Sequence, residues 1–195
     1  MQKTKITLKD MAQIAFFAAL TAVCSQILIP LPFTPVPINL ATFAVFMAGG
    51  LLGAVKGGAS QLIYVLLGAA GAPVFSNMEG GLGKLAGPTG GYIFGYILAA
   101  LVIGLIINMI TRRDDRLRSS TDGRGRPSLH RVSFVIAMTA GAVCYFTLGT
   151  AWFMVLTGRA LAESLTMCVW PYLPGDALKI ALAAYLVKRL GKHFV

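Results

Sequence analysis

Apolar residues in this chain fall into long blocks separated by short polar or turn-forming segments. Blocks near 10–29, 38–55, 57–73, 89–111, 132–157 and 175–190 approach the roughly 20 residues a helix needs to cross a hydrocarbon core. The pattern predicts an all-α integral membrane protein, one domain over 1–195 with six transmembrane helices. Only Lys56 and several glycines separate the second block from the third, so one bent or re-entrant segment is a second reading there.

Composition agrees with the pattern. Of 195 residues, 56% are hydrophobic and only 12% charged, where a soluble domain carries about a quarter charged. The mean hydropathy is +0.75. With both termini on the cytoplasmic side of the cytoplasmic membrane, the inner segments hold 14 of the 17 cations, leaving Lys84, Arg159 and Lys179 on the outer half. That bias predicts cytoplasmic N- and C-termini in a multi-pass protein. The net charge of +10 then reflects topology and contact with anionic membrane lipid. A nucleic-acid partner is not indicated, because the Arg-rich stretch lacks interleaved aromatics or a recognition signature. The basic start followed by a full apolar span without a cleavage site predicts a retained first helix.

Connections on the two sides differ. The segment at 111–131 is rich in Arg, Ser and Gly without apolar periodicity, and predicts a mobile, exposed cytoplasmic loop. The outer connections are apolar and full of turn formers. Pro30, Pro32, Pro35 and Pro37 make a stiff strap carrying Phe33, and 72–92 alternates glycine with polar groups, as suits a loop against a small ligand or a plain linker. Non-helical backbone at membrane depth survives only where protein or a cavity satisfies it, so these loops predict the walls of a ligand pocket. The glycine-rich segment does not continue into the Lys-Ser/Thr of a phosphate-binding loop.

Small residues recur at helical spacing. Gly49, Gly53 and Gly57 predict close helix packing, while Ala15/Ala19 and Ala18/Ala22 on the first helix suit either internal packing or docking of another membrane subunit. Cys24, Cys144 and Cys168 have no metal or redox spacing, and His130 and His193 read as solvated; no metal or cofactor is expected.

One ionisable pair stands at the mouth of an apolar run. Pro174-Gly175-Asp176 reads as a helix start with Asp176 as N-cap. Lys179 lies three residues further, where the macrodipole disfavours a cation without a nearby anion. That anion is either Asp176, on the same face, or a ligand carboxylate held with free helix N–H groups.

Three strings carry a resemblance: Ile29-Pro-Leu-Pro-Phe-Thr-Pro-Val-Pro-Ile38, Gly87-Pro-Thr-Gly-Gly-Tyr92 and Pro174-Gly-Asp-Ala-Leu-Lys179. Together, in order and over nearly the whole chain, they resemble the BioY family of biotin-specific substrate-capture (S) components of energy-coupling factor transporters. The resemblance implies six helices, a biotin site near the outer surface, and as partners a transmembrane coupling subunit and two ABC-type ATPases. It puts the binding acid at Asp176 and a motif lysine at Lys179, and brings Gly91 and Tyr92 to the pocket. Glu79 stands where a family position can carry Asn, with Asn77 as a substitute donor. The Ala15/Ala19 and Ala18/Ala22 steps resemble the surface that docks the coupling subunit.

Biotin has two ureido N–H donors, one carbonyl, an apolar tail and a carboxylate, and Asp176, the aromatics Phe33, Phe75, Tyr92, Trp170 and Tyr172, and Lys179 or loop N–H groups match those needs. The chain has no Walker motif and no room for an ATPase beside six spans. Two other classes remain: an S component for a different vitamin, and an intramembrane enzyme, for which no second acid, His pair or Ser/Lys dyad stands at catalytic spacing.

Overall fold

The computed structural model describes residues 7–32, 34–118 and 129–194. These form seven α-helices: α1 (Leu8–Gln26), α2 (Ala41–Ala69), α3 (Leu82–Ala86), α4 (Gly90–Arg118), α5 (Leu129–Thr157), α6 (Leu161–Cys168) and α7 (Leu173–Phe194). Four have stretches long and apolar enough to cross a membrane, Leu8–Gln26, Ala41–Ala69, Gly90–Thr111 and Val132–Thr157. Exposed Val23, Leu66, Val143 and Val155 give these helices an apolar exterior suited to lipid. The expected six helices are not found as such. α3 and α6 are short additional helices, and α7 carries Asp176, Lys179, Lys188 and Arg189, charges that keep it out of the apolar class.

The second and third expected spans share one helix, interrupted at Gly53. Gly53 has φ 76° and ψ −175°, a region open essentially to glycine alone. A straight helix would separate residues 48 and 57 by about 13 Å. Instead, a Cβ added to Gly57 would lie 2.9 Å from the Ala48 carbonyl oxygen and 3.1 Å from Gly49 Cα. The chain therefore reverses at Gly53, and the two halves of α2 pack on each other. α4 lies across the reversal, because a Cβ on Gly104 would fall 2.1 Å from the Ala54 nitrogen. The glycines thus pack the chain on itself as their small size predicts, but across a reversal and not along the one helical face that their spacing suggests.

At this end of the bundle Lys56 meets Asp10 at 2.5 Å, tying the reversal to the first turn of α1. Thr7 and Asp10 close that turn as a capping box. Of the expected loop at 111–131, residues 111–118 continue α4 and 129–131 begin α5; 119–128 lie outside the described residues.

The connections 27–40, 70–89 and 158–172 meet at the opposite end, where each contributes to one cavity. The proline strap is a hairpin: β1 (Leu28–Ile29) pairs antiparallel with β2 (Ile38–Asn39), Leu28 opposite Asn39 and Ile29 opposite Ile38. Phe33 lies outside the described residues. The C-terminal end of α1 secures the next connection. Ser25 Oγ donates to the Val74 carbonyl at 2.6 Å, Gln26 Nε2 to the Phe75 carbonyl at 2.9 Å, and Gln26 Oε1 accepts from the Met78 amide at 2.9 Å.

The two alanine steps on α1 separate. Ala15 and Ala19 are exposed, whereas Ala18 is buried in the core and Ala22 packs against it. An Ala18/Ala22 docking surface is therefore corrected to internal packing, since the helix turns that face toward the bundle.

Candidate functional site

Chain geometry before α7 sets the position of Asp176. Val169 accepts from the amides of Tyr172 and Leu173, and the Asp176 amide donates to the Tyr172 carbonyl at 2.9 Å. Asp176 is thus already inside the first turn and is not the N-cap. Pro174 fits this earlier start, because an N–H in the first turn would have no intrahelical partner to lose. Freed from capping, the Asp176 carboxylate points into the protein and is only 4% exposed.

Three side chains hold it. Oδ1 accepts from Lys179 Nζ at 2.8 Å and from Thr42 Oγ1 at 3.4 Å, and Oδ2 accepts from the Tyr145 hydroxyl. Lys179 also donates to the Asn39 carbonyl at 2.7 Å and to Thr42 Oγ1 at 3.0 Å. An ammonium has three protons, and all three are placed. Asp176 is therefore an anion beside Lys179, as the first of the two sequence readings expects.

Asn39 joins this cluster to the strap and the next connection. Its Oδ1 accepts from the Ala41 amide at 3.2 Å, serving the start of α2, and its Nδ2 donates to Ser76 Oγ at 3.0 Å. Asn39, Thr42 and Tyr145 are site residues that sequence reasoning missed. An Asn two residues before a helical run is a legible capping signal; nothing local marks the other two.

The cavity above this polar floor holds about 630 Å³ of empty space, part of it open to solvent. Tyr64, Phe75, Tyr92, Tyr96, Phe146 and Tyr172 supply aromatic wall, and Lys84 and Thr89 also line it. Tyr64 and Phe75 meet edge to face at 5.5 Å, and Tyr145 stands 6.4 Å from Tyr92 and 6.2 Å from Tyr96, within the range of favourable aromatic pairs. Tyr172 donates its hydroxyl to the Val36 carbonyl, pinning the strap. Burial pushes the Tyr172 phenol up to about 12, so it remains a donor at neutral pH.

Of the residues singled out from sequence, the structure brings together Asp176, Lys179, Phe75, Tyr92 and Tyr172 around this cavity. Others lie elsewhere. Trp170 is 67% exposed and outside the lining. Gly91 is a packing point, where a Cβ would fall 2.2 Å from Trp152 Cβ. Asn77 is exposed, with φ 65°; asparagine tolerates this left-handed turn better than most residues. Glu79 faces outward and pairs with Lys84 at 2.6 Å.

The BioY family profile matches residues 1–194. The chain belongs to the BioY family. Among curated relatives, the probable biotin transporter BioY of Pyrococcus horikoshii is 32% identical over 182 residues, 93% of this chain and 96% of that protein. The probable biotin transporter BioY of Bacillus subtilis is 34% identical over 188 residues, 95% and 91% of the two chains. A crystal structure of the S-component for biotin from an ECF-type ABC transporter superposes with a TM-score of 0.81 at 27% identity, covering 95% of this chain and 92% of that one. Membership in the BioY family places the chain among transporter components and not among enzymes.

Proposed function

We propose that this chain captures biotin in the cavity above Asp176 and mediates its uptake as the substrate-specific component of an ECF-type ABC transporter. The observation that carries the reading is the buried Asp176–Lys179 pair at the floor of an aromatic pocket, in a chain of the BioY family. A ureido ring presents N–H donors that a carboxylate accepts, and Asp176 is the carboxylate lining the cavity. Phe75, Tyr92 and Tyr172 flank the rings. The reading needs no cofactor.

The finer architecture belongs to the same proposal. Reversal of α2 at Gly53 supports counting its halves as two antiparallel passes, each shorter than a full span, and α7 as a sixth helix. The Asp10–Lys56 pair puts the reversal level with the start of α1, and the positive charge then orients both termini to the cytoplasm. The partners are a transmembrane coupling subunit and two ABC-type ATPases, with exposed Ala15 and Ala19 offering the close approach a neighbouring helix needs.

Native mass spectrometry after purification in mild detergent, followed by calorimetric titration with biotin, tests the reading. Biotin mass on the protein and saturable binding at one site are expected. A different vitamin in the spectrum, or no heat with biotin, overturns it.

A further inference from the structure

This inference rests on the biotin reading and concerns the opposite end of the ligand, its carboxylate. Lys179 is the cation that the sequence offers for it, but the Lys179 protons are already placed on Asn39, Thr42 and Asp176. A second lysine lines the same cavity. Lys84 on α3 is only 22% exposed, and its Nζ lies 2.6 Å from Glu79 Oε2, a carboxylate that is 47% exposed and outside the lining.

An independent observation points to the same wall. Thr89 Oγ1 lines the cavity and is buried with no hydrogen-bond partner, one of two such side-chain atoms among the described residues. A buried hydroxyl is costly unless something satisfies it. Gln61 Oε1, the other such atom, is not part of the lining.

We infer that Lys84 and Thr89 form the carboxylate subsite of this pocket, and that a ligand carboxylate takes the place of Glu79 on Lys84. The exchange replaces one carboxylate by another, so Lys84 is never stranded. Glu79, half in solvent, is rehydrated on release. Thr89 gains the acceptor it lacks.

The test compares biotin with biotin methyl ester by calorimetry on the whole protein in detergent. Wild type is expected to prefer biotin by about tenfold or more, the scale of a hydrogen bond to a charged group. Lys84→Met and Thr89→Val should each weaken biotin alone and shrink that preference, whereas Lys84→Arg keeps most of it. Glu79→Gln, which frees Lys84, should tighten biotin binding. Equal affinity of wild type for acid and ester, or equal weakening of both ligands by Lys84→Met and Thr89→Val, overturns the subsite and leaves the biotin reading standing. Wild type that binds neither ligand overturns the biotin reading and the subsite with it. Should Lys84→Met fail to fold, Lys84→Gln and Thr89→Val carry the comparison.

Discussion

Lys179 lies one helical turn beyond Asp176 on α7, with its ammonium 2.8 Å from Oδ1 and the two side chains only 11% and 5% exposed. Removing one member of a buried pair strands the other charge, at about 3–5 kcal/mol. Lys179→Met and Asp176→Asn should each lower the melting temperature of ligand-free protein, and the double variant should recover most of that loss. Binding does not recover, because variants without the Asp176 charge lose roughly 1.5–3 kcal/mol of biotin affinity. A double variant as unstable as the singles would separate the two residues energetically; full affinity in Asp176→Asn would move the ureido ring elsewhere.

Tyr145→Phe deletes only the hydroxyl that reaches Asp176 Oδ2 and keeps the ring against Tyr92 and Tyr96. Biotin affinity should fall about tenfold, or 1.4 kcal/mol, as the carboxylate loses one of its positioning donors. Titration reads the change, and an unchanged constant would confine Tyr145 to packing.

Gly53→Ala tests the reversal in α2. The nearest atom to an added Cβ there is Asn108 Oδ1 at 3.5 Å, an ordinary contact, so any cost comes from the backbone. A loss of about 1–3 kcal/mol is expected, read as a lower melting temperature in detergent. Wild-type stability would mean that α2 passes this point without the glycine conformation.

On α1, Ala15→Trp should abolish co-purification with the coupling subunit and ATP-driven uptake while biotin affinity stays near wild type. Ala18→Trp, entering a packed core, should instead destabilise the isolated protein by about 1–3 kcal/mol or more. Intact complex with Ala15→Trp would place the docking surface on another helix.

Orientation is accessible through Met78→Cys in a background lacking Cys24, Cys144 and Cys168. Met78 is 66% exposed at the pocket end. A membrane-impermeant maleimide is expected to label it on intact cells. Labelling only after lysis would turn the pocket to the cytoplasm.

Much of the fold was legible because lipid demands long apolar runs: blocks at 10–29, 89–111 and 132–157 coincide with the bodies of α1, α4 and α5. Gly53 shows where that logic stops, since hydropathy registers two blocks but not whether the chain bends, breaks or reverses between them. The Asp176–Lys179 pair was visible because spacing along one helix is local. Thr42 and Tyr145 reach the same carboxylate from α2 and α5, contacts set by packing that no local pattern encodes. Trp170 and Tyr172 looked equivalent from sequence. The turn before α7 sends one outward and the other into the cavity. Ala15 and Ala18 differ in the same way, through rotation of α1 about its axis.

The self-paired floor of the pocket bears on energetics beyond affinity. With the Lys179 ammonium 2.8 Å from its carboxylate, Asp176 has a counter-charge within the chain itself, so its burial creates no demand for sodium. Biotin binding is accordingly expected to be unchanged when sodium is replaced by choline. On the uptake reading proposed above, the drive for inward movement is then expected from the partner ATPases and not from co-transported sodium.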